Sequence, residues 1–341
     1  MKSSEKEIII IGQGLAGSAL ALEFEEHAIY PLVIDNRHHQ AASKIAAGLW
    51  NPVSFRNMKT VWMAAECLAI NAEYYPRWES KLGASFYHPT RLLRIHRNSE
   101  EVNDWDVGRE KNPYLLLSNS SATIAGSGMS EVSHCGWVDV PQFITSTAQH
   151  LKRENRLIHD AITTEKIHSF LQEGKTVILC TGYQAPWPWW PVSPNKGEVL
   201  KLKTHHTLPS MVHFSHFVIP LNDHQIKLGS TYQLEPSDIA PTQEGKEELE
   251  RAFKNNFSID YEISQHLAGY RPTTGDRRPV LGKLSSDNPL FIFSGLGSRG
   301  VLMAPYLAQM LVQHLLHGAP IHRETDVVRY LRKRTTNQSE P

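Results

Sequence analysis

The chain is poor in cysteine, carries no net charge and holds no long apolar run. Its three cysteines, Cys67, Cys135 and Cys180, are an odd number without a C-x-x-C pair. This argues against a disulfide framework or a zinc site and for a reducing compartment. Lysine plus arginine and aspartate plus glutamate each total 35. That balance is not the footprint of a broad basic face for nucleic acid, although a local patch stays open. No run reaches the ~18 apolar residues that a transmembrane helix needs, so no membrane span is expected. The 18 histidines are scattered, and pairs such as His38-His39 and His205-His206 lack ligand spacing, so no metal is expected. Lys2 and Lys6 before an apolar run imitate a signal peptide. Gly12, Gln13 and Gly14 break that run, however, and a cytoplasmic location is the expectation. At 341 residues there is room for two domains, or for one large domain with an insertion.

What is present begins with four isoleucines, Ile8 to Ile11, an unbroken apolar run that suits a strand buried on both faces. Gly12, Gly14 and Gly17 follow at the G-x-G-x-x-G spacing, then a helix-like run through Phe24 that includes Leu15 and Ala16. Gly12 permits the tight turn, Gly14 lets the backbone approach a pyrophosphate, and Gly17 lets the helix pack close on the strand. The helix start offers N–H groups and a positive dipole end to phosphates. A second apolar run ends at Asp35, 18 residues after Gly17, where a carboxylate can accept from an adenosine ribose. The motif therefore predicts a dinucleotide-binding unit.

Farther on, Ala41 to Gly48 is rich in alanine and closed by Gly48 and Pro52. Two readings stand level here: a plain helix with its glycine stop, or a helix whose N-terminus faces a second part of the cofactor. Residues 59–82 read as an amphipathic helix whose aromatic face is core. Residues 86–88 and 91–96 look like strands of another layer, and 118–130 like loop or short strands. Pro141 suits the first turn of a helix running to about Leu151. The run Thr176 to Cys180 ends in Thr181-Gly182, a small-residue turn at which backbone can come close to a ligand. Trp187-Pro-Trp-Trp190-Pro191 reads as loop packing, with a lid over a pocket as the alternative. Alternation from Lys196 to Tyr232 predicts an antiparallel sheet, and 242–256 a charged helix. A second glycine loop, Gly295, Gly297 and Gly300, lies between a strand and a helix reaching about His317. No further strand or acid follows at the right distance, so it reads as the sheet returning to the same cofactor. The end from Arg323, with Arg329, Arg332, Lys333 and Arg334, reads as a solvated helix or disordered tail.

Taken in order, several segments resemble one family: the Gly12 to Gly17 unit with Asp35, Ser43-Lys-Ile-Ala-Ala-Gly48, Gly136-Trp-Val, Cys180-Thr-Gly182 and Lys196-Gly-Glu-Val-Leu. So do Leu228-Gly-Ser-Thr-Tyr232, Gly269-Tyr-Arg271 through Gly282, and Gly295-Leu-Gly-Ser-Arg-Gly300 with Ala304-Pro305. The set resembles the D-amino-acid-oxidase-like FAD-dependent oxidoreductases, which include glycine oxidase and sarcosine oxidase. The closing segment is similar to the FAD-dependent half of the bifunctional tRNA wobble-uridine enzyme. The resemblance covers roughly residues 7–317.

It implies an α/β fold, α+β overall. A Rossmann-type FAD-binding domain (1–85, 136–195 and 265–325) would carry a substrate domain built on an antiparallel sheet (86–135 and 196–264), followed by a tail (326–341). It also implies non-covalent FAD. Gly12, Gly14, Leu15, Ala16 and Gly17 would hold the pyrophosphate, Asp35 the ribose with Asn36 nearby. Ser43, Lys44, Ala47, Gly48 and Leu49 would line the phosphate and flavin, with Thr181 and Gly182 beside them. Leu296, Gly297, Ser298, Arg299, Gly300, Val301 and Leu302 would sit at the flavin's pyrimidine edge, where a helix N-terminus or cation stabilises reduced flavin. For Arg299 a salt bridge at the helix start is the other reading.

By the same resemblance Arg271 would grip a substrate carboxylate as a two-pronged fork, or else pair with a structural acid. Phe217, where relatives carry a tyrosine, and Tyr232 would face the substrate. The implied reaction moves hydride from the carbon beside an amine nitrogen to flavin N5, and the imine then hydrolyses. No acid or base is assigned. The electron acceptor would be O2 or another oxidant, and no oligomeric state is implied. Two other readings remain: oxidation of a carboxymethylamino group on tRNA, disfavoured by the missing net positive charge, and a non-catalytic flavoprotein or subunit of a larger dehydrogenase.

Overall fold

Ile8–Ile11 is an inner strand of a six-stranded sheet in the computed structural model, which describes residues 7–36, 41–116, 128–184, 186–187, 190–234 and 238–331. The order is Leu157–His159, Leu32–Asp35, Ile8–Ile11, Thr176–Leu179, Leu290–Ser294 and Val280–Lys283. The first five run parallel and the last turns antiparallel. Both faces of this sheet are covered, which is why its strands need no polar alternation. Helix Leu15–Glu25 lies on one face and is buried from Leu15 to Phe24, with helices Gly300–His317 and Val140–Arg153 packed against it. A helix enclosed on all sides has no use for an amphipathic stripe.

Helix Ala64–Leu82 starts later than expected, because Lys59–Thr60 forms a short antiparallel pair with Val53–Ser54. Its aromatic face is core: Tyr74, Tyr75 and Trp78 are buried. This helix also fixes the start of helix Gly300–His317. Pro305 has no N–H, so the Val301 carbonyl lacks its intrahelical donor four residues on. Tyr75 donates its hydroxyl to that carbonyl at 2.8 Å, and Asn71 Nδ2 donates to Val301 at 3.2 Å and to Leu302 at 3.0 Å.

The second layer is an eight-stranded sheet. Glu262–Thr273 pairs with Ser193–Lys203, and the order continues Gln225–Gly229, Phe217–Asn222, Met211–His213, Leu92–Ile95 and Met129–Val132. The short strand Gln233–Leu234 extends the Gln225–Gly229 side. One face, with Leu200, Val218, Ile226 and Leu228, packs on helix Gln243–Lys254 through Leu249 and Phe253. Buried Glu198 anchors that helix, accepting from Thr242 N at 3.0 Å and lying 3.4 Å from Lys196 Nζ. The opposite face, carrying Val199, Phe217 and His213, turns toward the first sheet and roofs a cavity.

Several expectations change. Tyr87–Pro89 and Leu92–Ile95 fall in different sheets, because Tyr87–Pro89 joins Gly136–Val138 and Leu49–Trp50 in a three-stranded sheet of its own. The strand Glu262–Thr273 crosses residue 265, where the sequence divides the domains. Residues 326–331 are not a solvated tail. Val327 is fully buried against Val280 and Ile292, and Arg329 binds Asp276 and the carbonyls of Arg278 and Pro279. The segment's charge count concealed its apolar side. Trp187 and Trp190 pack against the first sheet beside Ile9 and Leu290 and are not among the residues lining the main cavity, which favours loop packing over a lid. Pro188, Trp189, most of the 118–130 loop and residues 332–341 with Arg332, Lys333 and Arg334 lie outside the described residues.

Tyr75→Phe removes the shorter of two side-chain donors to a buried carbonyl, leaving Asn71 Nδ2 at 3.2 Å. Its expected cost is about 1–3 kcal/mol of unfolding free energy. Urea titration checks this, and an unchanged midpoint at equal slope would count against the role of the hydroxyl.

Candidate active site

Between the two layers runs one continuous cavity of about 900 Å³. Its floor begins at the first glycine turn. Gly12 has a φ of +102°, and a side chain there would sit 2.5 Å from the Cys180 carbonyl oxygen at the end of the neighbouring strand. Gly17 presses on the Gly12 carbonyl, with no room for a Cβ. Two side chains hold the turn from outside: Asp35 Oδ1 accepts from Gln13 N at 2.9 Å, and Ser43 Oγ accepts from Leu15 N at 2.9 Å.

Of the residues expected at a cofactor, Gly12, Gly14, Leu15, Ala16, Asp35, Asn36, Ser43, Ala47, Gly48, Leu49, Thr181 and Gly182 line this cavity. Gly17 and Lys44 do not; Gly17 acts by packing. The alanine-rich segment forms a single helical turn, Ala42–Ile45, before the chain straightens. That one turn is all the helix the segment forms. The Ala46 carbonyl accepts from Lys227 Nζ at 3.0 Å, a buried lysine reaching down from the roof.

The second glycine loop closes the far end. Ser294 Oγ donates to the Gly182 carbonyl at 2.8 Å, tying this loop to the Thr181-Gly182 turn. Leu296 to Leu302 all line the cavity across a turn of 3-10 helix, Gly297–Arg299, and the start of helix Gly300–His317. Arg299 has no ion pair among the described residues, so the salt bridge offered as its other role is not formed. Burial, with Arg278 and Arg277 near, lowers its pKa.

In the roof, Arg271 is tightly fitted. Nη1 donates to Asn195 Oδ1 at 2.9 Å and to the Lys196 carbonyl at 3.3 Å, while Nη2 donates to Ser230 Oγ at 2.6 Å and to the Thr231 carbonyl at 3.1 Å. The guanidinium lies across Gly197, where any side chain would occupy its place, and 5.7 Å from the Tyr232 ring centre. All four partners are neutral, and among the described residues no carboxylate pairs with it. Burial pulls its pKa down to about 10. Phe217 and Tyr232 line the cavity, Tyr232 at the exposed rim.

Sequence reasoning missed other lining residues. Tyr183 and Tyr270 meet edge to face at 4.9 Å, Phe55 and His213 form a wall, and Ser230 holds Arg271. Only the pairing of distant strands brings these together. Among the described residues no cluster suits a metal, and no helix is long and apolar enough to cross a membrane.

Two helix starts and two arginines without acidic partners thus face one elongated cavity, an arrangement suited to a long anionic ligand with a smaller anion above it. The family profile "FAD dependent oxidoreductase" (DAO) matches residues 7–314. Among curated proteins, the chain is similar to the tRNA 5-methylaminomethyl-2-thiouridine biosynthesis bifunctional protein MnmC of Marinobacter nauticus, 24% identical, covering 90% of this chain and 55% of that protein. The Bifunctional protein ThiO/ThiG of Trichormus variabilis is also 24% identical, with 91% and 53% covered. The chain spans about half the length of these relatives. Among solved structures, glycine oxidase from Geobacillus kaustophilus superposes with a TM-score of 0.77 at 17% identity, covering 95% of this chain and 97% of that one. Iminodiacetate oxidase from Chelativorans gives 0.73 at 18%, with 95% and 98% covered.

Burial, with Lys201 nearby, holds the Lys227 ammonium down at about 8. The unfolded value is near 10.4, so folding disfavours the charged form. That cost is full below pH 8, shrinks as pH rises through 8 to 10, and is gone above the unfolded value. Lys227→Met should therefore stabilise the protein at pH 7 by at most about 3 kcal/mol, less about 1 kcal/mol for the lost bond to Ala46. The advantage should fade by pH 10; urea unfolding at both pH values tests it, and a gap that widens with pH contradicts it.

Proposed function

The chain belongs to the DAO family of FAD-dependent oxidoreductases, and from that premise we propose that it oxidises the C–N bond of a small amino acid or secondary amine bearing a carboxylate. The observation that carries this reading is Arg271, a part-buried guanidinium over the cavity with neutral neighbours only. A carboxylate supplies the missing negative charge in the planar geometry a guanidinium favours. To take it, Ser230 gives up its place as acceptor, since a hydroxyl can rotate and donate to the same carboxylate.

The floor fits FAD. Gly12, Gly14, Leu15 and Ala16 offer backbone to a pyrophosphate, with Asp35 and Asn36 toward the ribose. Ala47, Gly48 and Leu49, with Leu296 to Leu302, line the same cavity and would frame the isoalloxazine end. Arg299 and the start of helix Gly300–His317 put positive potential there. Attachment is non-covalent: among the described residues Cys180 alone of the cysteines lines the cavity, and burial pushes its thiol pKa up, away from the reactive thiolate.

When bound, FAD supplies the two-electron oxidation, and O2 or another oxidant takes the electrons on. The protein's residues orient the amine and keep it out of water. The amine arrives neutral, loses the equivalent of a hydride from the adjacent carbon and becomes an iminium ion (the protonated imine), which water hydrolyses. No acid or base is required beyond this. Similarity in fold to an oxidase of glycine and to one of iminodiacetate supports an amine with a carboxylate close by.

A second reading, oxidation of a carboxymethylamino group on tRNA, is favoured by the match to a tRNA-biosynthesis protein over 90% of the chain. Salt-dependent association with tRNA would support it, and turnover of free amines without RNA would exclude it.

The purified protein should be yellow and release its flavin on denaturation. Anaerobic titration with glycine, sarcosine, D-amino acids and proline should bleach it with at least one of them. Arg271→Ala should keep the colour but lose about 30- to 100-fold in affinity for carboxylated amines, with Arg271→Lys recovering little. Unchanged affinity in the alanine variant would remove Arg271 from the site.

A further inference from the structure

The cavity wall away from Arg271 holds a polar group that the proposed reaction leaves unused. His213 ends the strand Met211–His213 and lines the cavity beside Phe55 and Phe217. Arg94, its register partner on the neighbouring strand, brings Nη1 to 2.6 Å from His213 Nδ1. A guanidinium can only donate, so Nδ1 is the acceptor and the neutral ring carries its proton on Nε2.

Arg94 is itself held firmly. It is buried, Nη1 also donates to the Phe214 carbonyl, and Nη2 lies 3.5 Å from the Glu101 carboxylate. The Phe55 ring sits 4.3 Å from the imidazole centre and fixes its plane from the other side. Burial first, then Arg94 and His216, hold the imidazole pKa down to about 3, so the ring stays neutral.

Beyond Arg94 at Nδ1 and a contact with the Phe214 backbone, the ring has no hydrogen-bond partner among the described residues, and Nε2 is not one of the sealed polar atoms lacking partners. It opens on the cavity. A fixed donor at a partly dehydrated wall costs free energy unless a ligand accepts from it. Across the roof, His213 aligns with Phe217, then Gly229, then Val199, two residues along its strand from the Gly197 that Arg271 covers. Three strand spacings of about 4.8 Å put these rows roughly 14 Å apart, so a ligand that hydrogen-bonds to both side chains spans on the order of 10 Å once the hydrogen bonds at each end are taken off. The wall between is Val199 and Phe217, both apolar.

We infer that His213 is a specificity-determining residue, whose Nε2–H, locked in one tautomer by Arg94, donates to an oxygen at the far end of an elongated substrate. The substrate class is an N-substituted amino acid: carboxylate at Arg271, apolar middle against Val199 and Phe217, and a carbonyl oxygen at His213. Glycine itself is too short to reach both ends. The inference rests on Arg271 as the carboxylate site.

Two probes separate the inference from that premise. N-(3-acetylbenzyl)glycine carries the distal carbonyl, and N-(3-ethylbenzyl)glycine lacks it. Anaerobic titration of the flavin-loaded enzyme, read in the visible flavin band, should show the acetyl probe bound about tenfold more tightly. His213→Phe should bring the two probes to parity without weakening the ethyl probe, and His213→Gln should keep part of the preference. Arg94→Met, which frees Nδ1, should reduce the preference with His213 intact. Equal affinity for the two probes in the unaltered enzyme overturns the inference and leaves Arg271 standing. Should Arg271→Ala leave both affinities unchanged, the carboxylate reading falls and takes this inference with it.

Discussion

The first helix lies almost in contact with the end of the first strand, and the floor of the cavity depends on that approach. Gly17 meets the Gly12 carbonyl where any β-carbon would collide, and Gly12 meets Cys180 in the same way. The helix start is thereby fixed at the carboxyl edge of the sheet, where its dipole is useful. Helix Gly300–His317 then packs on the first helix, and Asn71 and Tyr75 locate its opening turn through the carbonyl that Pro305 leaves without a donor. Two helix starts face the same cleft because packing leaves them no other position.

The roof answers the floor electrostatically. Arg271 has its N–H groups satisfied by neutral oxygens, so its hydrogen bonds are made while its charge is not compensated. Arg299, on the turn that touches the end of Arg271's strand, likewise has no ion pair among the described residues. Holding such groups in a low-dielectric cavity favours anions before any specific contact forms. Neutral His213 adds direction without adding charge.

What could be read in the sequence was mostly what is local. Ile8 to Ile11, the three glycines and Asp35 are neighbours in the chain as in the fold, so spacing alone conveys the unit. The alternation from Lys196 to Tyr232 likewise announces its strands. The alanine-rich segment was harder, because Gly48 with a φ of +75° is packed against Val138, and the chain is drawn into the strand Leu49–Trp50 after one helical turn. Propensity cannot see that contact. Residues 326–331 look solvated by charge, yet Val327 fills a gap beside Val280. Arg94 and His213 meet through strands more than a hundred residues apart, and no local pattern pairs them.

The longest strand pair has a mechanical consequence. Ser193–Lys203, eleven residues long, and Glu262–Thr273, twelve, run together from the solvent side of the roof down to the loops of the floor. That ladder of paired backbone holds Arg271 over Gly197 from two strands at once, so the guanidinium's place in the roof is set by strand register rather than by a loop. The exposed ring of Tyr232, at the mouth, lies outside the ladder.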